Sequence, residues 1–151
     1  MRDYNLKFIS NIDLYNHIKE TVIKYRFSID LKEFNKNIID PIKLTFDSYI
    51  YKKDIQTLID DEIRRQLDKS NNNHIGYFHQ NIFEYINGDW YIPKKGFDLI
   101  NIKEKIYVEM KNKHNTMNHS SSQKTYMRMQ SQLLKDNNST CMLVEVIAKA
   151  S

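Results

Sequence analysis

Gly96-Phe97-Asp98-Leu99-Ile100-Asn101, then after Ile102-Lys103-Glu104 the run Lys105-Ile106-Tyr107-Val108-Glu109-Met110-Lys111, reads as the two arms of a β-hairpin. The second arm alternates, with Ile106, Val108 and Met110 on one side and Tyr107, Glu109 and Lys111 on the other, the period-two pattern of a half-buried strand. The apolar side is expected to pack and the charged side to face a cleft or water. A turn at Lys103-Glu104 sets Leu99 opposite Val108 and Asp98 opposite Glu109, with paired side chains roughly 5 Å apart. Lys111 points the same way as Glu109, about 6.6 Å along the strand at a rise of about 3.3 Å per residue. Two adjacent carboxylates repel unless positive charge lies between them, and a divalent cation with a nearby ammonium answers that need.

The 151 residues make a single domain the expectation, because a chain of about this size buries some 68–70% of its unfolded surface. The net charge of +4 suits a phosphate-rich partner, although the abundance of Ile, Lys, Asn and Tyr is also what an A+T-rich coding sequence produces. One cysteine, Cys141, excludes an internal disulfide and fits a reduced cytoplasm as a small buried thiol. Met1-Arg2-Asp3-Tyr4-Asn5 leads into a polar amphipathic segment rather than a signal peptide, and no apolar run reaches the ~20 residues of a membrane span. A cytoplasmic protein is expected.

Residues 1 to about 87 read as helical. Ser10 or Asn11 caps a helix with Ile12, Tyr15, Ile18, Val22 and Tyr25 at helical spacing. A second runs from about Asp30 to Ile39, with Asp30 as its cap, and Pro41 enters the first turn of a short third through Leu44 to about Ser48. Asp54 to Asp68 follows, with Ile55, Leu58, Ile59, Ile63 and Leu67 on one stripe. Ser70-Asn71-Asn72-Asn73 is read as its end, and a further helix is expected from His74 to about Ile86. Asn87-Gly88-Asp89 turns into a strand at Trp90-Tyr91-Ile92. The half from about 88 to 151 is strand-rich: the hairpin, then the polar loop Asn112 to Ser121. A helix follows, capped by Ser121 or Ser122, with Tyr126, Met129, Leu133 and Leu134 at core spacing. The closing run Cys141-Met142-Leu143-Val144-Glu145-Val146-Ile147 reads as a central strand buried on both faces. The class is α/β, a mixed sheet flanked by helices.

Asp followed at a distance by Glu-X-Lys is a weak motif, and spacing alone favours a solvated strand face over a catalytic one; the register and the neighbouring strands bring the two readings level. Asp30-Leu31-Lys32 shows how readily acid-X-Lys arises. Longer blocks say more. Phe34-Asn35-Lys36-Asn37-Ile38-Ile39-Asp40-Pro41-Ile42-Lys43-Leu44, Gly76-Tyr77-Phe78-His79-Gln80-Asn81, Gly96-Phe97-Asp98 and Glu109-Met110-Lys111-Asn112-Lys113-His114-Asn115-Thr116-Met117-Asn118 together resemble the SinI-type group of type II restriction endonucleases, within the PD-(D/E)XK nuclease superfamily. The resemblance covers nearly the whole chain. It implies a restriction-endonuclease-like fold, Mg2+-dependent hydrolysis of double-stranded DNA at a short GG-N-CC-like site, a homodimer and a cognate DNA methyltransferase in the same system. Phe97 stands where the superfamily has proline, and the group generally continues beyond the position of Ser151, so a C-terminal portion is expected to be missing.

Carried over residue by residue, the resemblance makes Asp98 and Glu109 metal ligands, with the Met110 carbonyl beside them, and Lys111 the catalytic lysine. Glu62 is the first choice for an additional helix acid and Glu84 the second. Lys113 and His114 are candidates for the DNA backbone, Asn115 and Asn118 for a groove, and Arg64, Arg65, Lys124 and Arg128 for phosphate or guanine contacts. His114 and His119 do not supply the strand-and-helix frame of a histidine-metal nuclease. The runner-up function is a truncated, inactive remnant that binds DNA without cutting it, suggested by a chain ending just after an apolar strand.

Overall fold

The computed structural model describes residues 3–86, 88–114 and 116–149. The chain separates into two compact units, residues 22–74 and residues 1–21 with 75–151. Four helices precede the strands, α1 Asn11–Lys24, α2 Leu31–Phe34, α3 Pro41–Tyr51 and α4 Ile55–Asn81. Among the described residues no helix is long and apolar enough to cross a membrane.

Ser10 caps α1, its Oγ accepting the Asp13 N–H at 3.1 Å, but the buried residues of that helix are Leu14 and His17, whereas Ile12, Tyr15 and Val22 are exposed. His17 is held by its ring: Nε2 lies 2.9 Å from the Phe78 carbonyl oxygen and the imidazole stacks on Phe78 at 4.5 Å.

In the unit of residues 22–74, Asp30 caps as expected, accepting the Glu33 N–H at 2.8 Å. The helix it starts is a single turn rather than one reaching Ile39. Asn37 instead donates its amide to Gln66 Oε1 at 3.0 Å. Pro41 occupies the first turn of α3, with Asp40 as cap.

The expected break at Ser70-Asn71-Asn72-Asn73 does not occur, and α4 runs through it for 27 residues. Asparagine lowers helix propensity without obstructing the helix, and Asn71 spends its amide elsewhere. Its Oδ1 accepts the Arg26 N–H and its Nδ2 donates to the Arg26 carbonyl, both at 2.9 Å.

The second unit holds the sheet. A 3-10 turn, Ile82–Tyr85, leads to β1 Trp90–Tyr91, β2 Leu99–Asn101, β3 Ile106–Lys113, helix α5 His119–Lys135 and β4 Thr140–Ile147. The order is β1-β2-β3-β4, antiparallel from β1 to β3 and parallel between β3 and β4. This is the mixed sheet expected. The hairpin turns over Ile102–Lys105, closed by Lys105 N–H to the Ile102 carbonyl at 3.2 Å, and Leu99 pairs with Val108 as read from the sequence. Asn101 braces this corner, donating to the Gly88 carbonyl and accepting the Glu104 N–H. Leu99, Val108 and Met110 form the core, with Phe83, Trp90, Ile92, Ile106 and Val144 around it.

Of the cleft or water expected to meet the face carrying Tyr107, Glu109 and Lys111, open water is excluded: α5 lies over it, and Glu109 is only 6% exposed. Three other expectations about this half are overturned. The contact side of α5 is the line of Thr125, Arg128, Met129 and Gln132, while Tyr126 and Leu134 point to solvent. The helix begins from Asn118, whose side chain accepts the Ser121 N–H at 2.8 Å, rather than from Ser121 or Ser122. Lastly, β4 is an edge strand, not a central one, with Met142, Leu143, Val146 and Ile147 all exposed. An unbroken apolar run reports β propensity without reporting which face is covered.

Candidate active site

Asp98 stands one residue before β2, where the ladder gives way to a side-chain contact. Its N–H donates to the Val108 carbonyl at 3.0 Å and its Oδ2 accepts the Met110 N–H at 2.8 Å. Gly96, two residues earlier, has φ of 104°, a left-handed conformation that favours glycine. That bend turns the Gly96 carbonyl toward α5, where Arg128 Nη1 donates to it at 2.7 Å. Between them Phe97 is buried, tilted against Tyr107 at 5.2 Å and under the Arg128 guanidinium at 5.9 Å.

Glu109 is the centre of the cluster. Lys111 Nζ donates to Oε1 at 2.8 Å, Thr125 Oγ1 donates to the same oxygen at 3.4 Å, and Arg128 Nη1 donates to Oε2 at 2.7 Å. Thus two acids and two cations gather over the end of one hairpin. Burial pushes the Asp98 carboxyl above the usual carboxylate range, opposed by the Met110 N–H, with the Glu109 charge pushing it further up and Lys111 and Arg128 pulling it down. The bond from the Met110 N–H to Asp98 brings the two acids to the same end of the hairpin, since Met110 follows Glu109 on β3.

Among the described residues no group of three or more His, Cys, Asp and Glu side chains converges as a metal cage. The pair Asp98 and Glu109 nevertheless suits a small hard cation. Both offer carboxylate oxygens, and the burial that disfavours the Asp98 charge is relieved by added positive charge. Glu109 would have to share an oxygen now taken by Arg128 or Lys111.

The remaining candidates scatter. Glu62 belongs to the helical unit, where Arg65 Nε at 2.6 Å and Gln66 Nε2 at 2.9 Å occupy its oxygens and Arg65 holds its carboxyl low. Glu84 lies in the 3-10 turn, and Arg64 is on α4. Lys113 ends β3 exposed, and Lys124 is exposed on α5. Asn118 uses its carbonyl oxygen to cap α5. His114 donates its N–H to the Ile147 carbonyl and sets Nδ1 2.7 Å from Glu145 Oε2. Asn115 lies outside the described residues. A cavity of about 150 Å³, lined by Lys111, His114, Thr116, Met117, Ser122 and Glu145, opens beside Lys111.

Sequence reasoning missed Thr125, Glu145 and the bond from Arg128 to Glu109. The i, i+3 spacing of Thr125 and Arg128 places them on one helix face, but nothing in the chain says which face meets the sheet. Glu145, the one charge in the apolar run of β4, is opposite Lys111 in the parallel register, which sequence does not reveal.

The family described as Eco47II restriction endonuclease matches residues 6–151. The type II restriction enzyme Sau96I of Staphylococcus aureus is 30% identical over 151 residues, covering 97% of this chain and 58% of that protein. The type II restriction enzyme Eco47II of Escherichia coli is 33% identical over 116 residues, covering 74% of this chain and 48% of that protein. The chain therefore spans about half the length of the curated relatives it matches. No solved structure matches it.

Proposed function

Because this chain belongs to the Eco47II restriction endonuclease family, we propose that it contributes the catalytic centre of a type II enzyme that hydrolyses phosphodiester bonds of double-stranded DNA. The observation that carries the reading is Asp98 bonded through Oδ2 to the N–H of Met110, the residue after Glu109, with Lys111 on the Glu109 carboxylate. Asp98, Glu109 and the Met110 carbonyl would hold Mg2+. When bound, that ion supplies Lewis acidity toward the phosphate and lowers the pKa of an attacking water.

The chain's own groups do the rest. Asp98, with Oδ2 anchored on the Met110 N–H, is fixed in direction before any ligand arrives. Lys111 orients the water and meets charge developing on the phosphate. The α5 helix closes one wall, so Glu109 acts in a partly dry site where its charge counts for more than in water. Lys113, His114, Asn115, Asn118, Lys124 and Arg128 are proposed for DNA contact. Glu62 is proposed as the additional acid, which requires it to exchange its bonds to Arg65 and Gln66.

The PD-(D/E)XK architecture, a GG-N-CC-like site of the SinI-type group, a cytoplasmic setting and a cognate methyltransferase belong to the same proposal, supported by the resemblance of the quoted blocks. A two-fold dimer follows from the need to cut both strands of a symmetric site. The test is incubation of the purified chain with plasmid DNA and Mg2+, with sedimentation counting chains in the DNA-bound species. Discrete fragments support the endonuclease. Intact plasmid with a gel shift supports the inactive DNA-binding reading.

A further inference from the structure

We infer that Arg128 is a built-in rival for the ion site, a positioning residue that occupies Glu109 Oε2 until a divalent cation displaces it. The inference rests on the proposed metal role of Asp98 and Glu109. Both Glu109 oxygens are already engaged, Oε1 by Lys111 and Thr125 and Oε2 by Arg128. A cation that takes Oε2 sets a second positive charge against the Arg128 guanidinium on one oxygen, and that repulsion favours releasing Arg128.

Lys111 and Arg128 differ in what they lose by leaving. Lys111 Nζ bonds Glu109, two residues away on the same strand, and its side chain is largely covered. Arg128 comes from α5, is 38% exposed along its side chain, and has further partners, the Gly96 carbonyl at 2.7 Å and the Phe97 ring at 5.9 Å. Those contacts keep a released guanidinium beside the site. There its planar fork suits a phosphate oxygen of the DNA backbone better than an ammonium does. Arg128 then serves in two positions: on Glu109 first and on a backbone phosphate afterwards.

The experiment measures Mn2+ binding to the full chain without DNA, by calorimetry and by the Mn2+ spin-resonance signal, for the parent, Arg128→Gln, Arg128→Lys and Asp98→Ala. Removing the rival is expected to tighten Mn2+ binding by about tenfold in Arg128→Gln, the factor that corresponds to about 1.4 kcal/mol. Arg128→Lys keeps the charge, loses the fork and is expected to fall between. Saturating Mn2+ should raise the melting midpoint of Arg128→Gln more than that of the parent, because the stabilisation follows the affinity. A residue that merely braced α5 would lower stability without tightening the ion. If Arg128→Gln proves poorly folded, Arg128→Lys carries the comparison alone. Equal or weaker Mn2+ binding in the folded Arg128 variants overturns the inference. If Asp98→Ala abolishes binding in that case, the proposed metal centre still stands. Undiminished Mn2+ binding in Asp98→Ala puts the ion elsewhere and sinks both.

Discussion

Replacing Asp98 with Asn keeps an acceptor for the Met110 N–H and removes a charge that burial disfavours. A carboxyl held above its ordinary value in the fold binds a proton more tightly than in the unfolded chain, so stability falls as pH rises from the ordinary value through the raised one. Asp98→Asn is therefore expected to melt above the parent at neutral pH, with the gap closing as pH drops toward the ordinary value of 3.8. Calorimetry across that range checks it, and a gap that ignores pH counts against burial as the cause. DNA cutting by the same variant should fall more than about 100-fold, beyond the usual loss for a group that only supports a ligand. At this scale the sequence was informative where chemistry is local. A short turn pairs Leu99 with Val108 and so sets Asp98 against β3, where Glu109 and Lys111 stand two residues apart, whereas Thr125 and Arg128 reach Glu109 across 16 and 19 residues, through a helix whose rotation no local rule supplies.

Helix α5 is the element on which that arrangement depends. Asn118 accepts the Ser121 N–H at its start, and Asn118→Ala is expected to cost about 1 kcal/mol. Urea unfolding should show a lowered midpoint at unchanged slope; an unaltered midpoint would mean the cap is dispensable. Elements of this kind were legible in outline. The caps Ser10 and Asp30, the place of Pro41 in the first turn of α3 and the strand alternation of β3 follow from short-range physics. The continuous α4 and the marginal position of β4 did not, since Asn71 is committed to Arg26, 45 residues away, and the neighbour of an apolar strand is a tertiary fact.

For the whole molecule, the excess of 23 basic over 19 acidic residues predicts DNA affinity that falls with salt. Each phosphate contact contributes about 0.9 to the slope of log affinity against log salt. Replacing exposed Lys124 with Ala should flatten the slope by about that amount, measured by fluorescence anisotropy of a labelled duplex; an unchanged slope removes Lys124 from the interface. Net charge was readable from composition, but the two-unit partition was not, because both of its boundaries fall inside helices, at residue 22 in α1 and residue 74 in α4, where no turn or linker signal stands.

The parallel pairing of β3 with β4 also bears on how the chain reaches this state. A hairpin such as β2–β3 closes within microseconds, bringing Asp98 and Glu109 together early. Ile106 and Thr140 must find each other across 34 positions, a loop closure that is slow because its entropy is lost before the contacts repay it. On this ordering the two acids and Lys111 meet with the hairpin, and Arg128, carried on the crossover helix, is the cationic guardian that arrives late.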